Sequence, residues 1–225
     1  TQPTVLTSAV VQTANILCFG GTGSVFVSAN GGSAPYVGTG NQSVVAGNQS
    51  FTITDANGCT STSSILITQP TQLIATATQT TPVLCFGGQA TVAVTGSGGT
   101  GTYTGTGSFL SLAGNITYTI QDANGCQNNL SVILNNLTPP ILLSETHTDV
   151  LCNGFSSGAV DLSVSGGNPS YTYNWSNGAT TQDISNILAG PYNVIVSDNN
   201  ACSDTLNVIL VQPTIPLIIT ETHVN

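Results

Sequence analysis

The sequence predicts an all-β protein, and three observations lead to this fold class. First, 25 Gly and 10 Pro in 225 residues, with abundant Thr, Ser and Asn, are typical of short strands joined by turns. Second, residues 159–165 and 192–197 alternate apolar and polar side chains, as in strands with one buried face. Third, no segment has a helical period. A hydrophobic content of 40% also argues against a disordered acidic tail.

Further strands are expected over 24–28, 49–54 and 62–68 near the start of the chain, and over 170–175 and 205–211 near its end. Between two of them lies Asn57-Gly58, a pair that predicts a tight hairpin because both residues tolerate positive φ.

The charge composition excludes several functional classes. The chain has no Lys or Arg and nine acidic residues, for a net charge of −9. Because phosphate recognition needs cations, we expect no nucleic-acid partner and no polybasic membrane contact. The sequence also has no apolar run long enough for a membrane-spanning helix, so no membrane span is predicted.

Cysteine spacing reveals an internal repeat. Two sets of cysteines recur every 67 residues, with the last step of the second set lengthened to 76: Cys18, Cys85 and Cys152, and Cys59, Cys126 and Cys202. The surrounding motifs recur too, with Leu-Cys-Phe-Gly-Gly at 17–21 and 84–88 and Asp-Ala-Asn-Gly-Cys at 55–59 and 122–126. Self-similarity at this period predicts a tandem array of small modules.

Each module is predicted to be a β-sandwich of six or seven short strands, similar in architecture to immunoglobulin domains. The expected domains are residues 1–70, 71–139 and 140–213, followed by 214–225 as the first strand of a further repeat or a linker. Proline at the joints, without a Gly/Ser linker, favours a semi-rigid rod.

Six cysteines allow fifteen pairings, and the period favours one disulfide inside each module: Cys18–Cys59, Cys85–Cys126 and Cys152–Cys202. Each bond would stabilise its module by roughly 4 kcal/mol and would indicate an oxidising, extracellular location. A zinc site is the weaker alternative, because there is no Cys-x-x-Cys motif and the two His do not recur with the cysteines.

The motifs resemble the SprB-type repeat of Bacteroidota surface adhesins. The resemblance rests on Cys-Phe-Gly-Gly at 18–21, Gly-Gly-x-x-Pro-Tyr at 31–36, Asp-Ala-Asn-Gly-Cys at 55–59 and Thr-Gln-Pro at 68–70. The third copy matches best, through Trp-Ser-Asn-Gly at 175–178, which the first two copies lack. The resemblance implies a long, secreted cell-surface array, exported by the type IX pathway and used in gliding motility, attachment or extracellular fibres. It implies no catalytic residues and no particular ligand.

We found no catalytic constellation in the sequence, and therefore predict that the protein is not an enzyme. The two His recur in Glu145-Thr146-His147 and Glu221-Thr222-His223, where Glu and His share one face of a strand. Such a pair can ligate a metal, but a solvated edge strand is the favoured interpretation.

Carboxylates recur before the hairpins at Asp55, Asp122 and Asp198. A turn role, in which the carboxylate accepts backbone N–H groups, is favoured over metal binding. No cofactor is therefore predicted, although Ca²⁺ remains an alternative whose candidate ligands all lie in the third copy: Asp161, Asp183, Asp198 and Asp204. Three recurring tyrosines are assigned to core or turn packing rather than to a sugar platform: Tyr36, Tyr103 and Tyr171.

The predicted function is a structural and adhesive segment of a long extracellular filament on the cell surface. Expected partners are further repeats of the same polypeptide, with self-association into filaments and surface glycans as additional possibilities. The alternative is a carbohydrate- or ice-binding adhesin that uses Thr-rich strand faces. Thr205, in an Asp-Thr-Leu triplet, is a candidate O-glycosylation site under the resemblance. Residues 216–225 align with 140–149 and are predicted to begin a fourth module, or otherwise to pair with the sheet of a neighbouring chain.

Overall fold

A computed structural model describes residues 4–214 of the chain. Within this range the fold is all-β, as predicted. Its sixteen strands are β1 (Thr7–Ala14), β2 (Gly23–Asn30), β3 (Gly40–Val44), β4 (Gly47–Thr54), β5 (Thr60–Ile67), β6 (Thr71–Thr81), β7 (Gln89–Gly99), β8 (Gly107–Leu112), β9 (Gly114–Gln121), β10 (Gln127–Leu134), β11 (Leu142–Thr148), β12 (Gly158–Ser165), β13 (Thr172–Trp175), β14 (Ile184–Ile187), β15 (Gly190–Ser197) and β16 (Ser203–Leu210).

The strands form six small sheets, two for each copy of the sequence repeat. Their orders are β1-β2-β3 and β4-β5, then β6-β7-β8 and β10-β9, then β11-β12-β14 and β13-β15-β16. The copies thus contain five, five and six strands, fewer than the six or seven predicted for the first two. The difference arises at Val37 in the first copy and at Thr104 in the second. Val37 forms only an isolated bridge to Thr54, and Thr104 forms only an isolated bridge to Gln121, so neither position counts as a strand.

In the first copy, two sheets face each other across an apolar core. Strand β2 buries alternate residues, including Val25 and Val27, and β4 buries Phe51 and Ile53. These side chains belong to one cluster that also contains Ile67 of β5. This arrangement of two antiparallel sheets is the β-sandwich that the alternating pattern predicts.

The third copy repeats this plan with one additional strand. Its extra residues lengthen the isolated bridge of the earlier copies into β13, which pairs with β15. Trp175 ends β13, is only 2% exposed and donates its indole N–H to the carbonyl oxygen of Thr181 at 2.9 Å. It packs in a core cluster with residues of both sheets, such as Leu162 and Val194. The insertion therefore enlarges the core.

The described residues divide into two compact units. The first comprises residues 4–78, 93–109 and 116–132, and the second comprises 79–92, 110–115 and 133–214. The first contains all of β1–β5, and the second contains all of β11–β16. The three-domain division at 70, 139 and 213 and the semi-rigid rod remain predictions, and the predicted strand at 216–225 lies outside the described residues.

The predicted pairing of the cysteines is wrong. The disulfides join Cys18 to Cys126 and Cys85 to Cys202, whereas Cys59 and Cys152 are free thiols. No bond lies within a repeat.

The physical reason is the length of β2. Cys18 lies shortly before β2 begins at Gly23, whereas the turn that contains Cys59 is hydrogen-bonded to Ser33, just after β2 ends. Eight extended residues span roughly 26 Å, while bonded cysteines have Cα atoms roughly 5–6 Å apart. Cys18 and Cys59 therefore lie at opposite ends of the sandwich.

Candidate functional site at the cross-repeat disulfides

Cys59, Cys126 and Cys202 form the second set of cysteines. Each of them is held in a turn by a buried aspartate. Asp55 accepts the backbone N–H groups of Asn57 and Cys59 on one carboxylate oxygen, at 3.0 and 2.9 Å, and that of Ser33 on the other, at 3.0 Å. Asp122 and Asp198 make the equivalent three bonds. The predicted turn role of these carboxylates is confirmed, and the turn fixes where the cysteine backbone lies.

These bonds favour the charged form of the aspartates. The N–H of Ser33 makes the largest contribution to lowering the pKa of Asp55 below the ordinary value of 3.8. At Asp122 and Asp198 burial raises the pKa, but the backbone donors together outweigh it and the pKa is again lowered. The three turns are therefore best ordered when the carboxylates are ionised.

Glycine is required beside this aspartate. Gly32 has a φ of +67°, and a Cβ added there would lie 2.8 Å from Oδ2 of Asp55. A side chain would thus be strained by the backbone conformation and would also displace the carboxylate. This explains the second glycine of the Gly-Gly pair in the repeat motif.

A tyrosine closes the same end of each repeat. The hydroxyl of Tyr36 donates to the carbonyl oxygen of Gly31 at 2.8 Å, that of Tyr103 to Gly98 at 2.7 Å, and that of Tyr171 to Gly166 at 2.5 Å. Each bond reaches back five residues. The prediction that these tyrosines serve turn packing is confirmed.

Cys18, Cys85 and Cys152 form the first set of cysteines. Each of them lies in a loop that is hydrogen-bonded to the last residues of its own repeat. The N–H of Gly20, two residues after Cys18, donates to the side-chain oxygen of Gln69 at 2.8 Å. Gly87 donates to Asn136 at 3.2 Å in the same way, and Gly154 donates to Gln212 at 2.9 Å. Sequence reasoning missed this role, although a side-chain amide recurs near each joint proline. The hydrogen bond to this side-chain amide fixes the direction in which the loop that contains the first-set cysteine extends from its repeat.

The disulfides connect these two kinds of turn between consecutive repeats. Cys18 bonds to Cys126 with an S–S distance of 1.97 Å, and Cys85 bonds to Cys202 at 2.02 Å. At the first bond, the side-chain amide of Asn124 also donates to the carbonyl oxygen of Leu17 at 3.0 Å. In both cases the first-set cysteine of one repeat is bonded to the second-set cysteine of the next. The bond is therefore part of a specific contact.

Each disulfide borders a cavity of related composition. Beside Cys126 the cavity is lined by Phe19, Gln72 and Leu73, and beside Cys202 by residues in the equivalent places: Phe86, Pro140 and Ile141. The phenylalanine comes from the repeat that supplies the first-set cysteine. The other two side chains come from the repeat that supplies the second-set cysteine.

Three of the four candidate calcium ligands accept backbone N–H groups in the structure. Asp183 accepts the N–H of Leu162 at 2.9 Å, Asp198 holds its turn, and Asp204 accepts the N–H of Thr205. Asp161 lies on β12 opposite Thr146. Across residues 4–214, no three His, Cys, Asp or Glu side chains are grouped so that they could hold a metal ion.

The Glu145–His147 pair is formed as the strand geometry predicts. His147 Nδ1 lies 2.9 Å from Glu145 Oε2, and Asp149 Oδ1 lies 3.9 Å from His147 Nε2. Glu145 and His147 lie in β11, where Glu145 is partly buried and His147 is exposed. The equivalent pair, Glu221 and His223, lies outside the described residues, and Thr205 is exposed on β16.

Exposed hydroxyls form cross-strand pairs on separate sheets. The pairs are Thr13–Ser24, Thr52–Thr62, Thr76–Thr95 and Thr117–Ser131, with oxygen separations between 2.7 and 3.0 Å. A flat ligand-binding array needs many such hydroxyls on one sheet. The observed pairs are spread over four sheets, so they do not themselves provide that array.

Two segments of the chain match the model of a known repeat family. The model of the SprB repeat matches residues 10–37 and 144–180. Both segments are therefore similar to the SprB repeat. The matches contain the Cys18 loop, the Tyr36 turn and the Trp175 insertion, so the SprB motif includes the features that the structure assigns to turns and to the core. No curated protein sequence is significantly similar to this chain.

Several solved structures of multidomain proteins align with most of this chain at low sequence identity. The N-terminal eight Ig domains of Down Syndrome Cell Adhesion Molecule align at 12% identity with a TM-score of 0.41, covering 93% of this chain and 37% of that one. Sidekick-1 immunoglobulin domains 1–5 align at 12% identity with a TM-score of 0.28, covering 91% and 59%. The three N-terminal domains of the bacteriophage RB49 Highly Immunogenic Outer Capsid protein align at 11% with a TM-score of 0.30, covering 93% and 100%. This chain thus spans little more than a third of the first of these structures.

In the part of the chain that the structure describes, no helix has the length and apolar character needed to cross a lipid bilayer.

Proposed function

We propose that this chain is a non-enzymatic structural and adhesive segment of an extracellular surface filament, in which consecutive SprB repeats are joined both by the backbone and by disulfides. The observation that carries the proposal is that both disulfides link one repeat to the next. A bond that only stabilised a small core would join cysteines of one repeat. Bonds between repeats instead strengthen the connection along the chain.

The same bonds support an extracellular location. Disulfides persist in oxidising compartments outside the cytoplasm, and SprB-type repeats are found in surface adhesins. Attachment, gliding or fibre assembly on the cell surface are the roles that suit such a segment. Its net charge of −9 with no Lys or Arg keeps it from binding other acidic polymers non-specifically.

Single-molecule stretching tests the structural part of this proposal. A chain pulled from its two ends extends by roughly 3.5 Å per residue once unfolded. With both disulfides intact, most residues between Cys18 and Cys202 are bypassed by the bonds. We therefore expect the oxidised chain to reach less than half the contour length of the chain treated with dithiothreitol.

The Cys18→Ser/Cys126→Ser variant serves as the control and should reach an intermediate length while the second bond remains. Equal contour lengths for the oxidised and reduced chains would show that the bonds do not carry tension, and the proposal would be abandoned. The adhesive part is tested by measuring detachment force between beads coated with the chain and glycan-coated or uncoated surfaces. Forces no greater than those of beads coated with an inert protein would contradict it.

A further inference from the structure

Each turn that holds a second-set cysteine also contains an asparagine two residues before that cysteine. The backbone N–H of this asparagine donates to the turn aspartate, at 3.0, 2.9 and 2.8 Å for Asn57, Asn124 and Asn200. The residues that follow all have positive φ, with values of 83°, 83° and 62°: Gly58, Gly125 and Ala201. The chain thus contains the same turn twice with an Asn-Gly pair and once with an Asn-Ala pair.

An Asn-Gly pair in water is a substrate for deamidation. The backbone nitrogen of the glycine attacks the side-chain carbonyl carbon of the asparagine, and the new C–N bond closes a succinimide ring. The bond from this carbon to Nδ2 breaks, and the nitrogen leaves as ammonia together with the proton of the glycine N–H. Water then opens the ring at one of its two carbonyl groups, which gives aspartate or isoaspartate. A side chain on the attacking residue hinders the first step, so Ala201 makes the third turn resistant.

The side-chain amide of Asn124 has a different partner from that of Asn57. Asn124 Nδ2 donates to the carbonyl oxygen of Leu17 in the preceding repeat at 3.0 Å, whereas Asn57 Nδ2 donates to the hydroxyl of Ser33 in its own repeat at 2.9 Å. Asn124 is half-buried, and Asn57 is exposed. The amide that deamidation would remove from Asn124 is therefore part of the cross-repeat contact.

The reaction at Asn124 requires its turn to open. The N–H of Gly125 donates to the carbonyl oxygen of Asp122 at 3.0 Å, and this bond must break before the glycine nitrogen can attack. The amide of Asn124 must also leave Leu17 before its carbonyl carbon can reach that nitrogen. The disulfide next to the pair restrains the same backbone. Links to the preceding repeat thus oppose the motion that the reaction needs.

Deamidation would in turn remove what Asn124 supplies to the contact. A carboxylate has no N–H to donate, so one of its oxygens would face the carbonyl oxygen of Leu17. It would also add a negative charge to the turn of Asp122, where the two carboxylates would repel each other. The isoaspartate product further lengthens the backbone between Asp122 and Cys126.

We propose that Asn124 is a deamidation site coupled to the cross-repeat contact: the contact slows the reaction, and the reaction weakens the contact. The co-reactant is water, and the loss of ammonia makes the change irreversible. Conversion at position 124 therefore increases with the time for which the contact is open.

Peptide mapping tests the first half of this coupling. The wild-type chain and the Cys18→Ser/Cys126→Ser variant are incubated in mildly alkaline buffer, at a temperature at which both are folded by circular dichroism. Pepsin digestion and tandem mass spectrometry then measure conversion at each Asn-Gly pair, which begin at Asn30, Asn57, Asn124, Asn153 and Asn177. In the wild-type chain we expect Asn124 to react about fivefold more slowly than Asn57, the factor that one hydrogen bond supplies. In the variant, the rate at Asn124 should rise to that at Asn57, whose own rate should not change.

Gly125→Ala is the matched control, because it gives the second turn the Asn-Ala pair of the third. The added Cβ would lie 3.4 Å from Gln121 Nε2, an ordinary contact distance, and Ala201 already adopts a positive φ at the equivalent position. Conversion at Asn124 should then be as slow as in the third turn, with or without the disulfide. The proposal is overturned if Asn124 reacts as fast as Asn57 in the wild-type chain, or equally fast with and without the disulfide.

The Asn124→Asp variant tests the second half, because it carries the product from the start. We expect dithiothreitol to reduce its Cys18–Cys126 bond about fivefold faster than that of the wild-type chain, while the second disulfide is reduced at an unaltered rate. Asn57→Asp makes the same change in a turn whose asparagine bonds within its own repeat, and should alter neither rate. An unaltered rate for Asn124→Asp, or equal acceleration by Asn57→Asp, would show that the amide of Asn124 does not support the contact and would contradict the proposal.

Discussion

Cys18 and Cys126 are covalently bonded although 108 residues separate them in the sequence, and their Cα atoms are 5.6 Å apart. Cys59, in the same repeat as Cys18, is unbonded. The bond joins a loop tied by Gln69 to a turn tied by Asp122. Its stabilising effect therefore depends on two consecutive repeats being folded.

The Cys18→Ser/Cys126→Ser variant should be clearly less stable than the wild-type chain. A disulfide that closes a loop of about 100 residues stabilises by roughly 4–5 kcal/mol in the chain-entropy model, and much of this is expected to be lost. Urea denaturation followed by circular dichroism measures the change. Cys59→Ser, which removes an exposed free thiol, is the control and should change stability by less than about 0.5 kcal/mol. Equal stability of the two variants would refute the prediction.

Acid should destabilise the chain through the three turn aspartates. Their pKa values are lowered in the folded state, so the stability they contribute is present above the ordinary pKa of 3.8 and is lost as pH falls through the folded pKa values. We expect Tm to vary little from pH 7 to about 5 and to fall steeply below about 4.

Asp198→Asn isolates one of these groups. The asparagine side chain keeps one acceptor oxygen, but its NH₂ group is a donor and cannot accept the N–H of Asn168 or those of the Asn200–Cys202 turn. We therefore expect Tm at pH 7 to fall by roughly 5 °C. Because the variant has lost this titration, its Tm should approach that of the wild-type chain as the pH falls towards 2. A Tm difference that widens in acid would show the opposite sign and contradict this interpretation.

Removing the hydroxyl of Tyr103 should weaken the turn that it closes. Tyr103→Phe loses the hydrogen bond to Gly98 and leaves a partly buried carbonyl oxygen without this donor, at a cost of about 1 kcal/mol. Tyr192 offers a matched control, since its hydroxyl bonds to the exposed Leu188 carbonyl. Tyr192→Phe should cost less in the same urea titration, and a larger loss for Tyr192→Phe would disprove the assignment.

Trp175 should be the most sensitive core position in the third repeat. Trp175→Ala removes a side chain that is 2% exposed together with its hydrogen bond to Thr181, and a loss of about 3–5 kcal/mol is expected. Phe155→Ala, at a site 67% exposed, should change stability by less than about 0.5 kcal/mol. Thermal unfolding followed by circular dichroism compares the two, and similar effects would exclude Trp175 as a core anchor.

The strands could be predicted from the sequence because an alternation of apolar and polar residues directly indicates a strand with one buried face. Residues 159–165 coincide with β12, and Asn57-Gly58 lies in the turn between β4 and β5. The turn roles of Asp55 and Tyr36 could also be predicted, since Asp55 accepts the N–H groups of Asn57 and Cys59 and Tyr36 donates to a residue five positions back. The bond from Ser33 to Asp55 spans 22 residues and could not be predicted in this way.

The cysteine pairing could not be read in the same way. A 67-residue period shows that Cys18 and Cys85 are equivalent, but it is equally compatible with bonds inside one repeat and bonds to the next. The choice depends on which end of β2 each cysteine lies near, and that follows from tertiary structure. The amide of Gln69 was missed for the same reason, because its partner, Gly20, is 49 residues away.

The two disulfides interleave along the backbone, because Cys85 lies between Cys18 and Cys126 while Cys202 lies beyond both. They define two covalent rings, 18–126 and 85–202, that overlap over 85–126. A protease that hydrolyses one peptide bond anywhere from 18 to 202 therefore opens the backbone without releasing a fragment. If each disulfide lay within one repeat, no disulfide would span residues 60–84 or 127–151. A single cleavage in either range would then separate the chain into two fragments. With the observed bonds, a single cleavage from 18 to 202 does not divide the molecule, because at least one disulfide still joins the two parts of the chain.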